Sequence, residues 1–107
     1  MTFVIRPAAR QDMLRHFRYL LEQDAPGAAV RFMESVDATV SKLAHQPRIG
    51  SPKKLKNPRL KGLRRWPVDG FEVIGIYYLL TDDVLRVIRV LHGKRDIARI
   101  LDEQMEV

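Results

Sequence analysis

The chain has no cysteine. That removes thiol catalysis, Cys-type zinc modules and disulfide scaffolds, and it suits a reducing compartment. Long hydrophobic runs are missing too: the longest, VIGIYYLL at 73–80, is far short of a bilayer crossing, and MTFVIRPAARQD at the start lacks the apolar core of a signal peptide. A cytoplasmic protein without membrane association is expected. The three histidines, His16, His45 and His92, fall on separate stretches, so no metal-ligand spacing arises. No Gly-rich turn opens a helix as a phosphate-binding loop would. Neither a metal nor another cofactor is therefore expected, and internal repeats and low-complexity tracts are absent as well.

Acidic residues are lacking in one place altogether. Nineteen Lys and Arg stand against thirteen Asp and Glu, for a net charge of +6, but none of the thirteen lies between Asp37 and Asp69. That interval holds Lys42, Arg48, Lys53, Lys54, Lys56, Arg59, Lys61, Arg64 and Arg65. The positive field therefore has a location, and it should attract an acidic protein or a nucleic acid unless it serves only solubility. A chain of 107 residues is expected to form one domain, 1–107, which buries about 65% of its unfolded surface without staples.

The elements can be read in order. TFVI at 2–5 is a short strand stopped by Pro7, which suits the first turn of a helix. Ala9, Met13, Phe17, Leu20 and Leu21 then recur at helical spacing, predicting an amphipathic helix over 7–23. DAPG at 24–27 breaks and restarts it, with Asp24 or Ala25 as the cap. Ala29, Phe32, Met33, Val36, Val40 and Leu43 mark a second helix to about His45, antiparallel to the first across so short a joint. Residues 46–62 hold three prolines and two glycines and read as a long irregular segment. Strands follow at 63–68, 71–80 and 84–91, joined by Asp69-Gly70 and Thr81-Asp82-Asp83 as tight turns. Gly75 within the middle strand predicts a bulge or a close approach by another group. A short helix from about Lys94 to Glu103 ends the pattern and needs docking to persist. The expected fold is α+β: an N-terminal strand, a two-helix hairpin packed on an antiparallel sheet of about four strands, and a short C-terminal helix. The helices cover one face of that sheet. Its second face, also apolar, should then await a partner.

Five stretches carry a family resemblance: A-x-x-D in the first helix, AAxRFMESV opening the second, L-x-x-x-P-R-x-G at its end, GLRRWPVDGFEVIGIYY, and RVLHGKRD. In this order, over roughly Pro7 to Ile97, they resemble the ParE branch of the RelE/ParE superfamily of bacterial toxins. The resemblance implies the toxin of a type II toxin-antitoxin pair, silenced by a ParD-like antitoxin whose ribbon-helix-helix end binds operator DNA and whose disordered, often acidic tail folds on the toxin. ParE-type toxins inhibit DNA gyrase, whereas RelE-type relatives are ribosome-dependent mRNA endonucleases. The Arg and Tyr that RelE uses fall, in register, at Pro67 and Leu101 here, so its two functional groups are missing.

A nuclease using other groups stays open: His92 as base, with Arg64 and Arg65 for the phosphorane's charge and Lys53 and Lys54 as further cations. Against that, a histidine closing a strand before Gly93 reads as a hydrogen-bonded turn residue, and Gly93 as a position with φ > 0. Asp96 suits a helix start, but the helix dipole does not explain two cations beside it, so Lys94 and Arg95 are assigned with Arg64 and Arg65 to target contact. Trp66, the sole tryptophan, reads as packing or as an antitoxin anchor, joined by Lys53, Lys54 and Lys56 in drawing an acidic tail. Arg86 and Arg89 are expected on opposite faces of the last strand, with Arg89 the one paired to a carboxylate.

Overall fold

The computed structural model describes residues 1–103. Residues 104–107 of the single expected domain lie outside the described residues. Strand β1 (Thr2–Ile5) leads into helix α1 (Pro7–Glu22), and α2 (Pro26–His45) returns alongside it. Prolines in the first turn of both helices set φ where no N–H is needed. Asp24, at φ 55°, turns the chain between them, and Ala25 stands at the cap of α2 without a side-chain hydrogen bond. The two-residue β2 (Ser51–Pro52) and a 3-10 turn (Pro58–Leu60) follow, then β3 (Arg64–Val68), β4 (Phe71–Thr81), β5 (Val84–His92) and α3 (Ile97–Glu103).

The sheet order is β1-β5-β4-β3-β2. The meander β3–β4–β5 is antiparallel as expected, its second turn made by Asp82 and Asp83 in the left-handed region that Asp tolerates. The strand expected at 2–5 is present; what the sequence did not contain is its pairing, parallel to β5 with Ile5 opposite Val87, and β2, which adds a fifth strand beside β3. The sheet is therefore mixed. Pairing so distant in sequence leaves no local pattern in a four-residue strand.

The inner face is packed by α1 and α2 around Phe32, Val36, Leu43, Ile76, Tyr78, Leu85 and Val90. The outer face is the first correction. Rather than awaiting a partner, it is closed by the chain itself: Leu60 from the irregular segment, Leu63 just ahead of β3 and Leu101 from α3 pack on Tyr77, Leu79, Ile88 and Leu91. Tyr77 is only 2% exposed and Leu91 1%. A second correction comes from β5. Its register against β4 shifts between Tyr77 and Tyr78, with Tyr77 opposite Arg89 and Tyr78 opposite Val87. The extra residue, Ile88, restores parity, so Arg86 and Arg89 leave the strand on the same side.

Candidate functional site

Alternation along β3 decides where the candidate cations go. Arg64 pairs with Tyr78, Arg65 with Tyr77 and Trp66 with Ile76, so Arg64 and Trp66 leave toward the helices and Arg65 toward the outer face. The guanidinium of Arg64 donates to the carbonyls of Arg48 (3.1 Å) and Gly50 (2.7 Å), and is thereby engaged in holding the end of the P-R-x-G stretch. The buried Tyr78 hydroxyl completes that latch, donating to Pro47 O at 2.8 Å and accepting from Gly50 N at 3.0 Å. Burial pushes the Tyr78 hydroxyl above its ordinary pKa of 10, against the opposing pull of the Gly50 N–H and the Arg64 charge. Two of the sequence motifs thus meet in one hydrogen-bonded unit.

Trp66 lies under the Lys42 ammonium, 5.2 Å from the ring centroid, in a cavity of about 480 Å³ between α2 and the β3–β4 turn that Pro67, Asp69 and Glu72 also line. It is half-buried. The structure therefore separates Trp66 from the lysines predicted to act with it: Lys53 and Lys54 line a different cavity, and Lys56 is exposed on the loop beyond them.

That second cavity, of about 400 Å³ on the outer face, holds Arg65. Its Nε donates to the Tyr77 hydroxyl at 3.3 Å and one Nη to Glu72 O at 3.4 Å, with the guanidinium carbon 5.9 Å from the Tyr77 ring centroid. Gly75 explains itself here. It stands where the β3–β4 register shifts, Pro67 facing Gly75 and Val68 facing Phe71, and a Cβ at that position would overlap the Arg65 guanidinium, so the missing side chain is the seat of the arginine. Gly93 lines the same cavity, and its φ is not positive. Its side chain is excluded for a different reason: the Gly93 N–H donates to Val73 O at 2.6 Å, and a Cβ would crowd that oxygen at 3.2 Å. Lys53, Lys54, Leu55, Ile97, Ala98 and Leu101 complete the walls.

His92 is not part of this arrangement. It pairs with Ile74, an inner-face residue, and its Nδ1 accepts the Lys94 N–H at 3.1 Å while its carbonyl accepts from Arg95 N at 3.0 Å. It closes the turn, as a histidine before Gly was expected to. Lys94 and Arg95 are exposed in that turn, next in sequence to the cavity-lining Gly93. Asp96 accepts the Arg99 N–H at 3.3 Å, capping α3.

The charged centre that sequence reasoning half found is Asp12. Only 1% exposed, it receives Nε of Arg89 at 2.6 Å, Nη of Arg89 at 2.7 Å and the Val90 N–H at 2.9 Å. Arg89 is paired to a carboxylate, as expected of a cation deep in a strand. One turn along α1, Nε2 of His16 lies 3.0 Å from Val90 O. A carbonyl only accepts, so Nε2 carries the proton. The physical reason for both contacts is the length of β1: the last bond on that edge is Arg6 N to Val87 O, and Asp12 and His16 serve Val90 where β1 has left the sheet. Burial holds His16 below its ordinary pKa of 6.5, while the Val90 bond and the Asp12 charge act the other way. Among the described residues no group of three His, Cys, Asp or Glu could hold a metal, and no helix is long and apolar enough to cross a membrane.

Comparison with known proteins agrees with this geometry. A family model described as "ParE toxin of type II toxin-antitoxin system, parDE" matches residues 3–97. Among solved structures, the fold is similar to a chain of the "Chromosomal ParDE TA system from P. aeruginosa", with a TM-score of 0.70 and 13% identity, covering 86% of this chain and 95% of that one. No curated protein matches the sequence.

Proposed function

Because the chain belongs to the ParE toxins of type II toxin-antitoxin systems, we propose that it disables its target by binding, without chemistry of its own, and that the target is DNA gyrase. Its antitoxin is taken to be ParD-like, with a ribbon-helix-helix end, so that operator DNA is met only through the antitoxin. The observation that carries the binding reading is the scattering of the candidate catalytic groups. His92 closes a turn on the helix side, Arg64 is engaged on main-chain carbonyls, and Arg65 stands on the outer face. Metal-free RNA cleavage needs a base, an acid and cations around one phosphate. Among the described residues, no His, Asp or Glu lines the cavity of Arg65, and Leu101, at the position matched to the RelE tyrosine, is fully buried hydrocarbon.

For the surfaces, the exposed turn Lys94-Arg95 with Arg65 beside it is assigned to the target. The antitoxin is assigned two separate contacts: Trp66 in its cavity against α2, and Lys53, Lys54 and Lys56 on the loop. With the outer face closed, the apolar groups left for a partner include Leu14 and Leu21, seven residues apart on α1 with Arg10 and Arg18 on the same stripe. Such a stripe suits a tail that is apolar and acidic.

A supercoiling assay tests the target. Purified toxin should inhibit gyrase or trap cleaved DNA at stoichiometric amounts, and no effect in excess refutes the proposal. The mRNA endonuclease reading is favoured by one observation, the cluster of Lys53, Lys54 and Arg65. It requires codon-registered cuts on translating ribosomes that His92→Ala abolishes.

A further inference from the structure

We propose that the outer-face cavity around Arg65 is a binding site for the phosphodiester backbone of a nucleic acid, one that binds without cleaving. A half-buried guanidinium normally finds a carboxylate, yet Arg65 has none within ion-pair distance among the described residues. It is instead held in place by neutral groups, the Tyr77 hydroxyl and the Glu72 carbonyl, over a glycine whose missing side chain makes the room. Glu72, on its own hairpin, turns its carboxylate to the Gly70 N–H at 2.7 Å. This is a cation fixed in position with its charge unanswered. Loss of side-chain freedom on binding is thereby already met.

Its surroundings select the ligand. Lys53 and Lys54 line the same cavity, so with Arg65 three cations gather where no carboxylate lines the wall. A lone carboxylate would be matched by one guanidinium fork. Three cations side by side match a ligand whose negative charge repeats along a chain. The cavity, at about 400 Å³, is of a size that takes a small-molecule group, and Leu55, Ile97 and Leu101 give it an apolar wall against which a sugar could rest. Tyr77 is too buried to stack a base, so recognition stops at the backbone and carries no sequence preference. With no His, Asp or Glu in the lining among the described residues, nothing there removes a 2′-OH proton. The antitoxin contacts proposed above share Lys53 and Lys54, so an acidic tail would compete for those lysines. Arg65 separates the two ligands.

The test uses the full chain freed from any antitoxin, with no gyrase present, so its outcome is independent of the target reading. Fluorescence anisotropy with a labelled 12-nucleotide single strand, as DNA and as RNA, should show affinity that falls steeply with salt. Arg65→Gln should weaken it about tenfold and reduce the slope of log K against log salt by about one. Gly75→Ala, which keeps every charge but displaces the guanidinium, should weaken it nearly as much, a result that net charge alone would not produce. Should Arg65→Gln fail to fold, the exposed pair Lys53→Gln with Lys54→Gln serves in its place, with the same expectation. Absence of binding at low salt overturns the proposal, as does binding indifferent to Gly75→Ala and to the lysine pair. So does a polyglutamate peptide of equal charge that binds more tightly than the oligonucleotide, which would make the site one for a protein tail. Intact oligonucleotide after prolonged incubation is expected, and cleavage there overturns the statement that the site only binds.

Discussion

At the scale of single residues, Asp12 and His16 show how far a strand's requirements reach. Val90 belongs to a strand whose neighbour has ended, and both of its backbone groups are met by side chains one helical turn apart on α1. Replacing Asp12 by Asn removes the charge that answers Arg89 and weakens the bond to Val90. Breaking a buried pair in this way costs about 3–5 kcal/mol, so Asp12→Asn should lower the denaturant midpoint with little change in slope. A loss under about 1 kcal/mol would contradict this account. His16 gives a prediction in pH. Its folded pKa lies below the unfolded 6.5, so the unfolded chain binds more protons in that region. Its contribution is complete above about pH 6.5 and declines as pH falls toward the folded pKa. Urea titrations at pH 7.5 and 5.0 should show that decline, and His16→Gln should reduce it; an equal decline in the variant would assign the effect elsewhere. The pairing of Arg89 was readable in the sequence because a cation inside a strand buried on both faces must meet a carboxylate. Its partner was not, since Asp12 is 77 positions away.

At the scale of elements, what periodicity predicts is what periodicity alone determines. The two helices and the three meander strands came out within about two residues, because each carries its own apolar face. The strand at 2–5 was legible too, but its parallel pairing and the closure of the outer face depend on partners distant in the chain, and neither leaves a local pattern. Gly75 and Arg65 were each visible, but only the register of β3 on β4 brings them together. Helix α3 illustrates the same dependence energetically. Seven residues cannot hold a helix in water, so α3 exists through Leu101, Ile97 and Ile100 against the outer cluster. Removing a buried leucine costs roughly 2–5 kcal/mol where the structure cannot yield. Here it can yield, by undocking. Leu101→Ala should therefore raise amide exchange in α3 and around Tyr77 severalfold while exchange at Val36 and Val40 of the inner core stays unchanged. Uniform acceleration through both clusters would mean that α3 is part of the cooperative core.

At the scale of the whole molecule, the sheet divides the surface into two sides of different character. Toward the helices lie the exposed apolar residues Leu14, Tyr19, Leu21 and Val30; toward the outer face lie Arg65, Lys53 and Lys54, with the turn Lys94-Arg95 beyond them. A toxin that must be held by one partner and released to another benefits if the two contacts differ, because each can then be tuned without the other. Charge reversal in the turn tests that division. Lys94 and Arg95 are exposed, and their side chains make no ion pair among the described residues, so Lys94→Glu with Arg95→Glu should change stability by no more than about 0.5 kcal/mol. Two positive charges become two negative ones at the proposed target contact, a change that slows encounter with an anionic complex and adds repulsion within it. Gyrase inhibition should fall by an order of magnitude or more, measured as the toxin concentration needed for half-inhibition of supercoiling. Antitoxin affinity, measured by titration calorimetry on the same variant, should stay within about threefold if the antitoxin rests on Trp66 and on the loop lysines Lys53, Lys54 and Lys56 rather than on the turn. A parallel loss of both would place the two partners on the turn itself, and unaltered inhibition would remove the turn from the target contact.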